Sequence, residues 1–359
     1  MAHIHINLSK IQYNANVLRQ LLATHHIQFT PVIKCIAGDP EIIRALNQLG
    51  FTHFAEARLE NIEKAKEVEA ANTFTLIRAP HLQELKQVVL NTTMSIQTEL
   101  TTIRQLNDVA KSLNLKHPIM LMVDWKNARE GVLTYDIVEY VQEILHLSHI
   151  CLRSIAFNFM CFNEIPPSES DIEMINRFVT SVEKETSYRF GIFSGGNSSM
   201  LPQMMYNDLG RVNDLRIGES LFRGVDTTSN VPIPSLYQDA ITLETRIIEI
   251  KPRIEVNSGR QYLQAIVDIG KLDTEVKDIY PLGHDVDVLG ATSDHLMIDL
   301  KNHDQYQVGD TITFRLGYNA LAQTMYINQM EKIYQNDKAI DLLLSLIHIS
   351  EPTRLGMIS

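Results

Sequence analysis

Residues 29–50, FTPVIKCIAGDPEIIRALNQLG, contain the unit from which the fold follows. FTPVIK is a short apolar run that ends in a lysine. PEIIRALNQLG then sets apolar residues every three to four positions, with Gly50 where a helix-terminating glycine belongs. Seven further runs repeat the pattern: THFA (52–55), TFTLI (73–77), TMSI (93–96), PIMLMV (118–123), LRSIAF (152–157), RFGIF (189–193) and DLRI (214–217). Amphipathic stretches such as LENIEKAKEVEA and TELTTIRQLNDVAKSLN separate most of them. Apolar strands alternating with helices predict a parallel sheet, and eight of them predict closure into a (β/α)8 TIM-like barrel. An open doubly wound sheet is the alternative, but no GxGxxG opens the first helix.

After TTSNVPIPS (227–235), polar and proline-broken, the pattern changes. AITLETRIIEI, QYLQAIVDI, VDVLG, HLMIDL and DTITFRL read as strands bounded by Gly, Asp and Asn clusters, which predicts a small antiparallel β domain. The division is therefore a barrel over 1–226, a linker over 227–235 and a β domain over 236–344. The last fifteen residues, SLIHISEPTRLGMIS (345–359), fit neither pattern and read as a non-native tail.

The 359 residues are 45% hydrophobic, enough for a full core, and carry a formal charge of −11, which argues against a nucleic-acid or anionic-membrane partner. Cys35, Cys151 and Cys161 are odd in number and far apart, so no disulfide framework is implied and a reduced, cytoplasmic setting fits. HIHINL near the start is an alternating strand rather than a signal peptide, and no run nears the roughly 18 apolar residues of a membrane helix. His25 with His26, and His146 with His149, lack a third ligand at metal spacing, so no metal is expected.

Barrel active sites form at the C-terminal ends of the strands. Lys34 closes the first barrel strand, where a desolvated amine has the nucleophilic character that a Schiff-base lysine requires; a snorkelling strand-end lysine is the alternative. FSGGNSSM (193–200) and LRIGESLFRG (215–224) follow the seventh and eighth strands, where barrels bind phosphate.

With these motifs in order, the chain to about residue 340 resembles the alanine-racemase-type (fold type III) pyridoxal-phosphate enzymes, and within them the ornithine racemases. IKCIAGDPEI matches their lysine and Gly-Asp-Pro-Glu turn, ARLEN (57–61) their Arg-x-Glu-Asn segment, and MVDWKNAREG (122–131) their Val-Asp…Arg-Glu-Gly segment. Residues 194–199 match their Ser-Gly-Gly-Asn-Ser-Ser motif, residues 216–219 Arg-Ile-Gly-Glu, and GATSDHL (290–296) Gly-Ala-Ser-Ser-Asp-His-Leu. The resemblance implies a pyridoxal-phosphate-dependent amino-acid racemase that moves a proton at Cα with two bases, on a cationic substrate such as ornithine or lysine. Alternatives are another racemase of the family, alanine racemase included, or a non-catalytic cofactor-binding protein.

The resemblance also assigns roles. Lys34 would hold the cofactor and serve as one base, and Arg216 would lie against the pyridine nitrogen. Ser194, Ser198 and Ser199, with the backbone at Gly218 and Glu219, would hold the phosphate, and Tyr318 would reach it. Arg129 would contact the phenolic oxygen, and Asn158 would sit near the ring. Gly38 stands where alanine racemases have a phosphate-binding tyrosine, and Met122 where they have a carbamylated lysine. The second base is open among Tyr262, Asp294 and His295; Asp294 and His295 are preferred because their segment alone matches a family motif that faces the partner's site. A homodimer with shared active sites follows from that. No cysteine follows Cys161, which disfavours the decarboxylases and zinc-dependent lyases of the group.

Overall fold

The structure, a computed structural model, describes residues 2–350, without the side chains of 345–350. Its strands, in chain order, are β1 (His3–Asn7), β2 (Gln28–Pro31), β3 (His53–Glu56), β4 (Thr73–Leu76), β5 (Met94–Gln97), β6 (His117–Met122), β7 (Ile150–Ala156), β8 (Ile192–Ser194) and β9 (Asp214–Ile217). Then come β10 (Val225–Asp226), β11 (Val231–Pro232), β12 (Ile241–Ile254), β13 (Gln261–Val267), β14 (Ile279–Pro281), β15 (Asp287–Ala291), β16 (Leu296–Asp299), β17 (Thr311–Leu316) and β18 (Glu331–Gln335). Two compact units form: one built mainly from Val17–Leu221, the other from the residues up to Asn16, Phe222–Gly224 and those from Pro234 onward.

In the first unit β2 to β9 make one parallel sheet in the order β2-β9-β8-β7-β6-β5-β4-β3. A bridge between Val32 and Ala55, with the Ile33 amide donating to the Ala55 carbonyl at 2.9 Å, joins its ends into a barrel. All eight predicted strands are present, because runs apolar on both faces can be buried only between helices and a filled interior. The first run ends differently: β2 stops at Pro31, and Lys34 opens a short 3-10 turn (Lys34–Ile36). Ala37 (φ 53°) and Gly38 (φ 64°) then turn the chain left-handed into the helix Pro40–Gln48, which the Asp39 side chain caps by accepting from the Ile42 amide at 3.2 Å. A Cβ at position 38 would lie 2.8 Å from the Asn61 carbonyl oxygen, so this turn has no room for a tyrosine.

The second unit holds an eight-stranded, mostly antiparallel sheet, β14-β17-β12-β13-β16-β15, with β1 between β12 and β18. β1 pairs antiparallel with β12 (His3 with Glu244) and parallel with β18. Ile4, Ile6, Leu243 and Phe314 are fully buried within this unit. Three features depart from the predicted outline. The N-terminal strand joins the β unit rather than the barrel unit; β14 and β18 are additional strands; and YNALAQTMY (Tyr318–Tyr326) is a helix. The proline-broken stretch 227–235 contains one arm of the β10–β11 hairpin. The helix Lys338–Ser350 runs through residue 345, where the sequence suggests a tail; residues 351–359 of that tail lie outside the described residues. Among the described residues no helix is long and apolar enough to cross a membrane.

Candidate active site

The C-terminal ends of the parallel strands gather most of the predicted residues at one mouth. Lys34 follows β2, Arg129 follows β6, Asn158 follows β7, and Ser198 and Ser199 follow β8. Ser194 ends β8, Arg216 lies on β9, and Gly218 and Glu219 follow it.

Arg216 is the most constrained of them, a guanidinium only 4% exposed inside the barrel. It donates to Ser194 Oγ, to the Phe157 carbonyl at 2.7 Å and to Asn158 Oδ1 at 3.2 Å. Burial pulls it below the usual arginine range, the nearby positive Arg129 adds to that, and the Asp214 carboxylate opposes it. Asp214 in turn accepts from Thr30 Oγ1 at 2.7 Å and from Ser194 Oγ. Ser194 and Asn158 are therefore placed as partners of Arg216. The fully buried Ser194 hydroxyl is already engaged on both sides, which leaves Ser198 and Ser199 as the hydroxyls of this loop for an anion.

The loops after β8 and β9 are stitched together. The Arg216 amide donates to the Gly196 carbonyl at 3.0 Å, and the Ser220 amide to Ser198 Oγ at 3.3 Å. Asn197 Oδ1 accepts from the Ser199 amide at 2.9 Å. Gly218 passes so near β2 that a Cβ there would lie 2.7 Å from the Val32 carbonyl oxygen. Ser199 Oγ is buried yet has no hydrogen-bond partner. A native protein rarely leaves such a group unpaired, and an acceptor-rich oxyanion would satisfy it. Arg129, ion-paired with Glu130, likewise has a buried Nε with no partner. Met122 is packed with Ile96, Met120 and Ala156, an apolar setting in place of a lysine.

Glu56, at the C-terminal end of β3, is a buried acid at this mouth that the sequence reading did not single out. It is fully buried; one carboxylate oxygen accepts from the Ala57 and Arg58 amides at 2.6 and 3.1 Å, while Oε2 has no partner. Burial pushes its carboxyl up to about 7, against the lowering effect of those amides, of Asn61 and of the Lys34 charge. Burial likewise pushes the adjacent Cys35 thiol up to about 12, so it stays protonated. In the sequence the only trace of Glu56 is an acidic residue closing an apolar run, THFAE.

Because folding raises the Glu56 carboxyl from 4.5 to about 7, its stabilising protonated form is complete below about 4.5 and lost as pH rises through about 7. Glu56→Gln is therefore expected to be more stable than the parent above about pH 8, by on the order of 3 kcal/mol, and near parity at about pH 4. Urea midpoints at the two pH values measure this; a difference independent of pH would show that the carboxyl is not held neutral.

The remaining candidates lie in the β unit. Asp294 and His295 are exposed in the turn between β15 and β16, where the His295 amide donates to Thr292 Oγ1 at 3.1 Å. Tyr262, on β13, is half-buried beneath the Arg260 guanidinium, 4.8 Å from its ring centre. Tyr318 opens the helix Tyr318–Tyr326, whose first turn is capped by Asp278 accepting from the Asn319 amide at 2.8 Å.

Comparison with known proteins agrees with this fold. The family described as "Alanine racemase, N-terminal domain" matches residues 6–225. Ornithine racemase of Acetoanaerobium sticklandii is 29% identical over 348 residues, covering 92% of this chain and 98% of that protein. Lysine racemase of Thermotoga maritima is 27% identical over 347 residues, covering 92% and 97%. Among solved structures, alanine racemase from Bartonella henselae with covalently bound pyridoxal phosphate superimposes with a TM-score of 0.73 at 18% identity, over 93% of this chain and 99% of that one. At that identity the likeness establishes the shared fold.

Proposed function

From the premise that the chain belongs to the alanine-racemase family, we propose that it is a pyridoxal-phosphate-dependent racemase of a cationic amino acid such as ornithine or lysine. The observation that carries this reading is the barrel mouth itself: Lys34 at one strand end, with the unpartnered Ser199 hydroxyl and the buried Arg216 at the others. These residues fit the cofactor. Ser198, Ser199 and the backbone at Gly218 and Glu219 would hold the phosphate, Arg129 the phenolic oxygen, Arg216 the pyridine nitrogen and Lys34 the aldehyde carbon. Bound there, the cofactor acts as an electron sink that makes the substrate's Cα proton removable.

The chain's residues supply the rest. Lys34 takes or returns the Cα proton on one face. Arg216 keeps its proton at neutral pH, so it offers the ring nitrogen hydrogen bonds without protonating it. The Ser194 hydroxyl, the Phe157 carbonyl and Asn158 fix its orientation. The opposite face needs a second base, which Asp294 and His295 of a partner subunit would provide, so the working unit is a homodimer. Tyr318 would add a phosphate contact. The cationic substrate is supported by the two curated relatives, named for ornithine and lysine and matched over nearly their whole length. Three free cysteines fit a cytoplasmic setting.

The test is a panel of L-amino acids incubated with purified protein and cofactor, followed by optical rotation. Ornithine and lysine are expected to lose rotation well before alanine. Faster loss with alanine would move the substrate class, and no loss with any amino acid would favour the non-catalytic alternative.

A further inference from the structure

We propose that the β unit carries a site for a late first-row divalent cation, with zinc as its natural probe, formed by His3, His5 and Glu244. The site is separate from the barrel mouth and stands whether or not the chain is a racemase. His3 and His5 are two residues apart on β1, so both imidazoles project from one face of the strand. Glu244 lies on β12 directly opposite His3, on the same face. Both imidazoles converge on a single carboxylate oxygen: Nε2 of His3 is 3.2 Å, and Nε2 of His5 3.5 Å, from Glu244 Oε2.

The His3 contact is a hydrogen bond as it stands, and the same separations match those between ligands of one metal ion. Metal–ligand bonds of 2.0–2.2 Å in a tetrahedron set ligand atoms about 3.4 Å apart. One ligand atom from each residue lies within 4.8 Å of the others, and these are the only three such His, Cys, Asp or Glu residues grouped this way among the described residues. Side-chain exposures of 15–25% leave room for an ion to enter and for water as a fourth ligand. Two imidazoles and one carboxylate favour zinc, nickel or copper; calcium and magnesium prefer all-oxygen sets. The ion would clip β1 to β12, tying the chain's first strand to a strand some 240 positions later. That separation explains why the sequence suggests no metal: the third ligand of the His-x-His pair is supplied only by the fold.

The full-length, cofactor-loaded chain, treated with chelator and desalted, is titrated calorimetrically with zinc alone. Binding of about one zinc per chain is expected at this site. His5→Ala and Glu244→Gln should weaken it on the order of 100-fold, since a direct ligand matters at least as much as its outer partner. His25→Ala, at an exposed position, should leave it unchanged. At zinc 100-fold above the dissociation constant, the folding equilibrium constant should rise about 100-fold in the parent only. As a readout independent of variant folding, cobalt(II) on the parent should give the intense visible bands of four-coordinate geometry. Equal affinity in the variants, no uptake by the parent, a pale six-coordinate cobalt spectrum, or equal competition by magnesium would each overturn the site.

Discussion

Replacing Lys34 with alanine is expected to lower kcat/KM for racemisation by at least about 10³-fold while leaving the barrel folded. General acid–base catalysis by one positioned group contributes typically 10²–10⁴-fold, and this lysine is also the proposed covalent anchor of the cofactor. The fold should tolerate the change. Lys34 is half-buried in a 3-10 turn, outside the β-ladder and the buried Arg216 cluster. Its removal also takes away a charge that lowers the carboxyl of Glu56, so that carboxyl becomes still easier to keep neutral. The measurement is racemisation rate beside a denaturation midpoint, with partial rescue by a small primary amine as the signature of a missing amine. Activity within tenfold of the parent, in a folded variant, would remove Lys34 from the chemistry.

Asp214→Ala is the second large effect, and it acts on stability. Asp214 and Arg216 are each 4% exposed; Ser194 bridges them, and the carboxylate offsets the cost of burying the guanidinium. The two are linked through Ser194 rather than in direct contact, and removing the counter-charge of a buried guanidinium should cost up to about 3 kcal/mol, toward the low end of what breaking a direct buried pair costs. Thr30→Val removes only one hydrogen bond to the same carboxylate and should cost about 1 kcal/mol. Urea unfolding of both variants separates the views. Similar small losses in the two would mean that Asp214 is one more hydrogen-bond acceptor rather than the counter-charge that keeps Arg216 in the barrel.

The barrel was legible because each of its strands is a short apolar run set off by helix-period stretches, a pattern that survives without knowledge of partners. What depended on partners was not. HIHIN is plainly a strand in the sequence, yet nothing local says that its neighbours are β12 and β18, since Glu244 and Glu331 are the residues opposite His3. Ile279–Pro281 ends in a proline and spans three residues, too short for a period to show. The Ser194 hydroxyl reads as one of a phosphate-binding set, and only the return of the chain at Asp214 commits it to holding Arg216. Lys34 is legible from its place closing an apolar run, whereas the left-handed Ala37–Gly38 turn that presents it leaves no such mark. Glu56 escaped because burial is a property of the closed barrel and leaves no mark on the sequence.

The central claim is that this barrel mouth holds pyridoxal phosphate through Lys34. Reduction of the cofactor-loaded protein with borohydride, followed by peptide mapping, tests it most directly. The account predicts loss of the visible absorption band and one cofactor-derived mass on the peptide containing Lys34. A colourless protein that takes up no cofactor, or a label fixed on another lysine while Lys34 stays unmodified, would contradict it.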